Sequence, residues 1–357
     1  MFESWHKLPH WLRLSISFPL LFLNGWLLVI LISYLEPLGT ILTTATLLAF
    51  LVDFPIRLLE KRGVRRGLAT AFVLFMVLII IGLISFIFIP IIIEQLSQLL
   101  KSFPQWLESG NQQLESMKQW AIAKRVPIDF QEIIGQLAER LSNLIKSLGD
   151  QVLGFVGGTI GTVINLLFIF VLTVFLVLMG EQVWAGLFSW LPQPWDLQIR
   201  DSLRTTFEKY FATQAILAGI VSVAQTIVFL ILQVPYALLF GFAIGIATLI
   251  PYTSGFVILL ISCLLMFQDL KLGLTALILT LIVGQINDNI LSPKLMGGMT
   301  GLNPVWIIIS LFIGGRFAGI LGLLVAVPLA SVIKTTIETL RYPPDVYEEE
   351  NISKLGQ

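Results

Sequence analysis

The chain has 357 residues, of which 56% are hydrophobic and 12% are charged, and its mean hydropathy is +0.90. A soluble protein carries about 25% charged residues, so half that share, with repeated uncharged runs, predicts a multi-pass membrane protein. The net charge of zero excludes a strongly basic nucleic-acid-binding protein. The single Cys263 excludes an internal disulfide, and His6 and His10 both precede the first apolar run. We therefore expect no metal site, no cofactor and no enzyme centre in the membrane.

Residues 1–93 are predicted to form an N-terminal membrane region with three spans. The spans are apolar runs that approach or exceed the length of one crossing of a ~30 Å hydrocarbon core. They cover residues 15–34, 38–52 and 68–93. Glu36-Pro37 predicts a tight turn between the first two spans.

The short loop after the second span has the strongest basic bias in the chain. Its basic residues are Arg57, Lys61, Arg62, Arg65 and Arg66. The positive-inside rule places this loop in the cytoplasm, and two crossings before it place the N-terminus there too. Asp53 and Arg57 are four residues apart, which predicts an ordinary surface ion pair in preference to a coupling site.

Residues 94–150 interrupt the apolar composition with six basic and seven acidic residues. Apolar residues recur there at helical spacing, and Asp129 with Glu132 resembles a capping box. We predict a small extracytoplasmic subdomain of amphipathic helices. A helical cap or lever is favoured over a binding module.

Residues 151–337 are predicted to form a C-terminal membrane region, and 338–357 a polar cytoplasmic tail. The first part of this C-terminal membrane region contains two spans separated by an amphipathic cytoplasmic linker. These three segments are residues 153–179, 181–209 (the linker) and 211–232. Gln214 and Gln225 lie in the second of these spans, where interhelical hydrogen bonds are expected rather than substrate contacts.

Residues 236–267 are uncharged but contain the segment PYTSG. As one helix they would measure ~46 Å, well beyond a ~30 Å hydrocarbon core. Pro251 removes a backbone hydrogen bond, and Gly255 adds conformational freedom. The element is therefore either one broken, tilted span or two half-helices in a re-entrant hairpin, and both remain open. Residues 272–290 are predicted to form the next span and residues 304–333 the last one, so counting the broken element once gives about eight spans.

Two isolated charges mark the C-terminal region. Asp288 is the only charged residue between Lys271 and Lys294, and Arg316 is the only one between Lys294 and Lys334. Isolated charges in a membrane are costly, so each suggests a function. Asp288 is either a proton or cation site or a helix-end residue satisfied by water or backbone amides. Arg316 either binds an anionic or polyhydroxylated solute or forms a static ion pair with Asp288, which is the favoured alternative.

Pro251, Pro293 and Pro304 mark two irregular elements in neighbouring spans. Broken helices are how many transporters build a binding site, although simple kinks are the alternative. The expected hydrogen-bonding ligands are Thr253, Ser254, Asn287 and Asn289. Gly315 and Gly319 are four residues apart, which predicts close helix packing.

Several segments resemble, in chain order, the autoinducer-2 exporter family of bacterial transporters. They are DFPIRLLEKRGVRRGLA, QLLKSFPQWL, FGFAIGIATLI with PYTSG, NDNILSPKLMGGMTGLNP and GGRFAGILGLLVAVPLASVIK. The resemblance implies a multi-pass inner-membrane protein of about eight spans. The family includes autoinducer-2 exporters, sodium or lithium/proton antiporters and permeases of unknown substrate. Asp288 stands where the family often has glutamate, whereas Arg316 stands where a small residue is expected.

Together these features predict an all-α, polytopic transmembrane bundle with a small extramembrane helical subdomain. The expected function is secondary transport or export of a small polar solute, with H⁺ or Na⁺ as a coupling ion. No nucleotide-binding GxxxxGK[ST] motif is present, so this chain alone is not expected to use ATP. The alternative is a non-transporting scaffold that docks partner proteins. The glycine-rich helix faces are also compatible with a homo-oligomer.

Overall fold

The computed structural model describes residues 10–123, 130–156, 160–189, 195–296 and 301–341. In these ranges the chain is helical and contains no strand. The helices are α1 (His10–Glu60), α2 (Arg66–Ala123), α3 (Phe130–Val156), α4 (Ile160–Phe188), α5 (Trp195–Ile231), α6 (Ala237–Thr248), α7 (Thr253–Gln268), α8 (Leu270–Ile286), a π-helical segment (Asn287–Leu291), α9 (Ser292–Met296) and α10 (Pro304–Arg341). The predicted all-α class is confirmed. Asp129 of the expected capping box and residues 342–357 of the predicted tail lie outside the described ranges.

Five helical stretches of the described chain are long and apolar enough to cross a membrane, and α4, bent by 76° near Glu181, makes a sixth. Their large apolar side chains point outward: Phe86 is 82% exposed and Phe312 is 77% exposed. In water such faces would be unfavourable, whereas in lipid they are solvated and the helices satisfy their own backbone groups. The predicted membrane bundle is therefore confirmed.

Helix α1 is continuous through residues 36 and 37. The expected turn at Glu36-Pro37 is wrong. Proline has a helical φ and removes only one backbone hydrogen bond, so a membrane helix can tolerate it. The first two predicted spans are thus parts of one 51-residue helix.

Helix α2 has 58 residues, a length of ~87 Å, and reaches well beyond the apolar layer. Two of its glutamines bind backbone groups at the ends of the later helices. Gln95 Oε1 accepts a hydrogen bond from Leu239 N at 2.9 Å. Gln113 Oε1 accepts one from Leu270 N at 3.0 Å, and its Nε2 donates to Gln268 O at 3.4 Å. Helix α2 therefore connects residues 94–113 of the predicted extramembrane subdomain to one end of α6, α7 and α8.

Helices α5 and α6 pack closely because glycine lines their contact. A Cβ at Gly241 would lie 2.6 Å from Thr226 N, and one at Gly245 would lie 2.8 Å from Ala218 O. Real Cβ atoms do not approach backbone atoms this closely, so only glycine fits at either position. The two helices are antiparallel, since the residue number rises on α6 as it falls on α5.

The chain reverses direction between α6 and α7. The start of the pair meets α2 at Ser102, whose Oγ lies 2.9 Å from the hydroxyl of Tyr236. The end of the pair meets α2 at Gly110, where an added Cβ would lie 2.5 Å from Phe267. Ser102 and Gly110 are ~12 Å apart along α2, whereas a straight helix from Tyr236 to Phe267 would measure ~46 Å. Of the two arrangements that the sequence left open, the structure therefore contains the hairpin.

This first hairpin, α6 and α7, has its tip at residues 249–252. Its arms have 12 and 16 residues, or ~18 and ~24 Å. Both are shorter than a ~30 Å hydrocarbon core. The hairpin therefore has the dimensions of a re-entrant element.

Helix α10 is also folded back on itself, although its length and composition alone would suit a span. Ala318 and Gly319 leave the helical region, and Gly319 has φ +55° and ψ −135°, which glycine adopts readily. Lys334 Nζ donates to Gly301 O at 2.5 Å across 33 residues, a separation of ~50 Å in a straight helix. The single last span expected from the sequence is wrong. We call this element the second hairpin.

The arms of the second hairpin touch through glycine. A Cβ at Gly322 would overlap the carbonyl of Gly314, and a Cβ at Gly315 would lie 3.0 Å from Leu323 Cδ2. Gly315 therefore packs closely, as expected. Gly319 does not: nothing lies within 4 Å of its Cβ position, and it supplies the positive φ of the turn instead.

Candidate functional site

The tip of the first hairpin and the π-helical segment lie at the same end of the α5–α8 unit. Helices α7 and α8 are antiparallel, and a Cβ at Gly284 would lie 3.6 Å from Ile258 Cδ1. Continuing this register by about one helical turn places Ser254 level with Asp288. Polar residues from two separate stretches of sequence are thus brought to one depth.

The π-helical segment begins with a buried amide whose oxygen has no hydrogen-bond partner. Asn287 is 7% exposed, and its Nδ2 donates to Asp288 Oδ1 at 2.9 Å. Asn287 Oδ1 accepts no hydrogen bond. An unpartnered buried polar atom costs about 1–3 kcal/mol, and π-helical turns occur frequently at functional sites. This oxygen is therefore a ready acceptor for a polar ligand, an ion or a water molecule.

Asp288 and Asn289 follow on the surface of the single chain. Asn289 Nδ2 donates to Gln285 Oε1 at 2.8 Å and to Gln285 O at 3.0 Å. The hydrogen-bond partner of the Asp288 carboxylate is the neutral side-chain amide of Asn287. Both side chains leave polar atoms available at the end of α8.

The expected static ion pair between Asp288 and Arg316 is wrong for the described chain, which has no ion pair between them. Arg316 lies three residues before Gly319, near the turn of the second hairpin, and is exposed. The second hairpin packs mainly against α5 and α1, not against α8. Although α8 and α10 are close in sequence, they do not bring Asp288 and Arg316 together in a shared interior.

The tip of the first hairpin carries three of the predicted site residues. Pro251, Thr253 and Ser254 are half-buried, and Gly255 is exposed. Tyr252, between Pro251 and the start of α7, has φ +67°, a left-handed conformation that is uncommon for a non-glycine residue. Such backbone conformations persist where the surroundings enforce them, often at ligand sites.

Gln214 and Gln225 make the interhelical hydrogen bonds expected from the sequence. Gln214 Nε2 donates to the carbonyls of Thr248 and Leu249, both at 3.3 Å. Gln225 Nε2 donates to Thr280 O at 3.0 Å. Gln214 therefore ties the tip of the first hairpin to α5, and Gln225 ties α5 to α8.

Pro293 and Pro304 flank the irregular connection rather than break a helix. Pro293 is the second residue of α9, and Pro304 is the first residue of α10. Pro304 loses no helical hydrogen bond, because the N–H that it lacks would have no partner in the first turn. Pro293 instead lies within the continuous helical stretch Leu270–Met296, directly after the π-helical segment. Both residues are exposed.

The second hairpin holds an open groove of about 890 Å³ between its arms. Its walls are mostly apolar, and its charged groups, Lys334 and Glu338, lie near its base. None of the predicted polar ligands is among the described residues that line it. The groove is thus separate from the polar site at the first hairpin.

Sequence reasoning missed a closed ring of two carboxylates and two guanidinium groups joining α1 to α5. Asp53 Oδ2 lies 2.9 Å from Arg57 Nε and 2.6 Å from Arg204 Nη2. Glu208 Oε1 lies 3.0 Å from Arg204 Nε and 3.4 Å from Arg57 Nη2. Asp53 is only 7% exposed. The i,i+4 ion pair expected for Asp53 and Arg57 is present, but it belongs to a partly buried ring and is not an ordinary surface pair.

Comparison with known proteins gives one consistent result. The sequence profile of the AI-2E family transporter matches residues 16–342. A candidate transport protein of Synechocystis, sll0060, is 36% identical over 93% of this chain and 98% of its own length. YueF of Bacillus subtilis, also named as a candidate transport protein, is 28% identical over 81% of this chain and 80% of its own. PerM of Escherichia coli K12, named as a candidate permease, is 27% identical over 83% of this chain and 85% of its own.

These matches to transport proteins and a permease agree with the outward-facing apolar helices. The protein is a multi-pass membrane transporter and not an enzyme. Since the profile covers nearly the whole sequence, the chain belongs to the AI-2E transporter family.

Proposed function

We propose that the protein is a secondary transporter of a small polar solute, bound where the tip of the first hairpin meets the π-helical segment. The observation that carries this proposal is the buried, unpartnered Oδ1 of Asn287 beside the carboxylate of Asp288. Thr253 and Ser254 lie at the same depth on the facing helix. Hydroxyl, amide and carboxylate groups at one depth suit a hydroxylated solute, which needs both donors and acceptors.

The backbone supports this proposal as well. Helix α7 starts at Thr253, so the N–H groups of its first turn lie at the tip; that of Thr253 donates to Ile250 O at 3.2 Å. Helix α8 ends in the π-helical segment, whose winding leaves the regular carbonyl pattern. Helix ends inside a membrane are the elements from which many transporters build solute and ion sites.

Asp288 is the proposed coupling group, exchanging H⁺ or binding Na⁺. Asn289 and Pro251 complete the rim of the site. Arg316, at the turn of the second hairpin, is proposed as a separate contact for an anionic or polyhydroxylated solute through its planar fork of donors. The basic loop between α1 and α2 supports an inner-membrane protein with that loop in the cytoplasm. A homo-oligomer remains compatible with the glycine-rich faces.

The proposal is tested by flux in proteoliposomes loaded with a pH-sensitive dye. Purified wild-type protein is challenged with autoinducer-2, with Na⁺ and with Li⁺, each under an imposed pH gradient. We expect Asp288→Asn to retain its elution profile and melting temperature but to lose at least about tenfold in coupled flux, the effect of ~1.4 kcal/mol. Asp201→Asn, which removes an exposed acid outside the site, is the matched control and should transport normally.

Wild-type flux in Asp288→Asn would remove this carboxylate from the mechanism. Dissipation of the pH gradient by Na⁺ or Li⁺ alone would favour an antiporter over a solute exporter. The scaffold alternative predicts a different result. In that case Asp288→Asn and Arg316→Ala would lower abundance and assembly together, and no wild-type flux would be measured.

A further inference from the structure

A small cavity next to the charge ring has walls rich in arginine. It measures about 50 Å³, more than the ~10–15 Å³ that a cavity needs in order to hold one water molecule. Helices α1, α2, α4 and α5 enclose it. Its charged lining residues are Asp53, Arg66, Arg200 and Arg204, so three guanidinium groups face one carboxylate.

The charge ring already neutralises that carboxylate. Asp53 lies 2.9 Å from Arg57 Nε and 2.6 Å from Arg204 Nη2. Arg66 lies farther from this carboxylate: its Nη2 is 3.9 Å from Asp53 Oδ1, beyond hydrogen-bonding distance. The same Nη2 donates to Val177 O at 3.2 Å, and Arg66 Nε lies 3.8 Å from Glu60 Oε1. Arg200 stands outside the ring and makes no ion pair in the described part of the chain. The cavity wall therefore carries a net positive charge.

The position of the cavity matches the headgroup layer of a membrane. Helix α4 bends by 76° near Glu181, and Trp184, just beyond the bend, stacks on Phe50 with ring centroids 5.9 Å apart. Tryptophan is enriched at membrane interfaces. Apolar side chains form the rest of the wall, and the basic loop between α1 and α2 lies at the same end. Basic pockets between transmembrane helices bind anionic lipid headgroups.

We propose that this cavity binds a phosphate group, either the phosphodiester of an acidic phospholipid or a free phosphate ion. Arg200 contacts the phosphate oxygens directly, and Arg66 contributes a second guanidinium. Arg204 stays fixed by Asp53 and Glu208, so it shapes the wall without leaving the ring. Guanidinium groups suit this ligand because their planar donors match the oxygens of a phosphate. The site is separate from the proposed transport site.

The test uses full-length protein in a neutral detergent and measures its melting temperature with added ligand. The added ligands are phosphatidylglycerol, phosphatidylcholine and inorganic phosphate. The variants are Arg200→Gln and, as a matched control, Arg62→Gln, which removes an exposed charge from the basic loop outside the cavity. Arg200→Lys keeps the charge but not the fork. The readout requires no transport, so its failure leaves the proposed function untouched.

We expect phosphatidylglycerol, but not phosphatidylcholine, to raise the melting temperature of the wild type and of Arg62→Gln. Arg200→Gln should bind at least about tenfold more weakly, and Arg200→Lys should fall between, since a charge-assisted hydrogen bond is lost. The same pattern with inorganic phosphate would support the site and identify the free ion as the ligand. Equal stabilisation of wild type and Arg200→Gln, or stabilisation by neither anion, would overturn the proposal.

Discussion

Neutralising Asp53 should destabilise the protein far more than neutralising an exposed acid. Asp53 is 7% exposed and has both Arg57 and Arg204 as partners within 3 Å. Breaking a buried ion pair by removing one partner costs about 3–5 kcal/mol, because the remaining charge is left uncompensated. The Arg57 and Arg204 side chains are 35% and 25% exposed, so solvent lowers the expected cost of Asp53→Asn to about 2–3 kcal/mol.

The assay is a double-mutant cycle on unfolding in detergent, with Asp53→Asn, Arg204→Gln and the double variant. Removing both partners leaves less uncompensated charge than the sum of the single changes, so we expect a coupling energy of about 1–2 kcal/mol. The control is Asp201→Asn, an exposed acid on α5, which should cost less than about 0.5 kcal/mol. Additive effects, each below about 1 kcal/mol, would show that the ring behaves as a surface pair and would refute this reasoning.

Two further predictions concern close packing and buried amides. Gly322→Ala should separate the arms of the second hairpin, because its Cβ would overlap the carbonyl of Gly314. We expect a loss of at least about 2 kcal/mol in unfolding, whereas Gly82→Ala, with open space around it, should be neutral or slightly stabilising; equal effects would contradict the hairpin contact. Gln225→Leu should change stability by less than about 1 kcal/mol, because it loses a hydrogen bond to Thr280 O but also removes a buried, unpartnered Oε1. Gln225→Glu should be strongly destabilising in the same melting assay, and similar melting temperatures for the two variants would refute this account.

The class of fold was readable from composition, because long uncharged runs have few alternatives to membrane helices. The first hairpin was readable only as one of two options. Pro251 and Gly255 show that the helix is interrupted, but the angle at an interruption depends on packing, here on contacts with α2. Pro37 shows the opposite case, since a proline marked a turn that the helix does not make.

The second hairpin could not be predicted from a proline or glycine that marks an interruption. The sequence has several glycines between residues 314 and 322, and nothing local identifies Gly319 as the one with positive φ. The charge ring was hidden for a related reason. Asp53 and Arg204 are 151 residues apart, and one sequence gives no evidence of their contact. The predicted Asp288–Arg316 ion pair was wrong because helices that are close in sequence, here α8 and α10, need not be in contact.

The structure brings the polar residues of the proposed site to one depth but does not place Arg316 beside Asp288. Thr253, Ser254 and the Asn287–Asn289 stretch were chosen as polar residues near helix interruptions, and the antiparallel register of α7 and α8 brings them to one depth. For Gln214 the sequence predicted an interhelical hydrogen bond, but it did not identify the hairpin tip as the partner. Polar residues in apolar helices can therefore be identified from the sequence, whereas their hydrogen-bond partners on other helices cannot.

The uninterrupted course of α2 limits which parts of the molecule can move independently. Helix α2, which is ~87 Å long, forms hydrogen bonds with the base of the first hairpin at Tyr236, Leu239 and Gln268. A tilt of α2 would therefore displace the base of the first hairpin with it. At the opposite end, Gln214 on α5 binds the carbonyls of Thr248 and Leu249, so the tip is attached to α5 and not to α2.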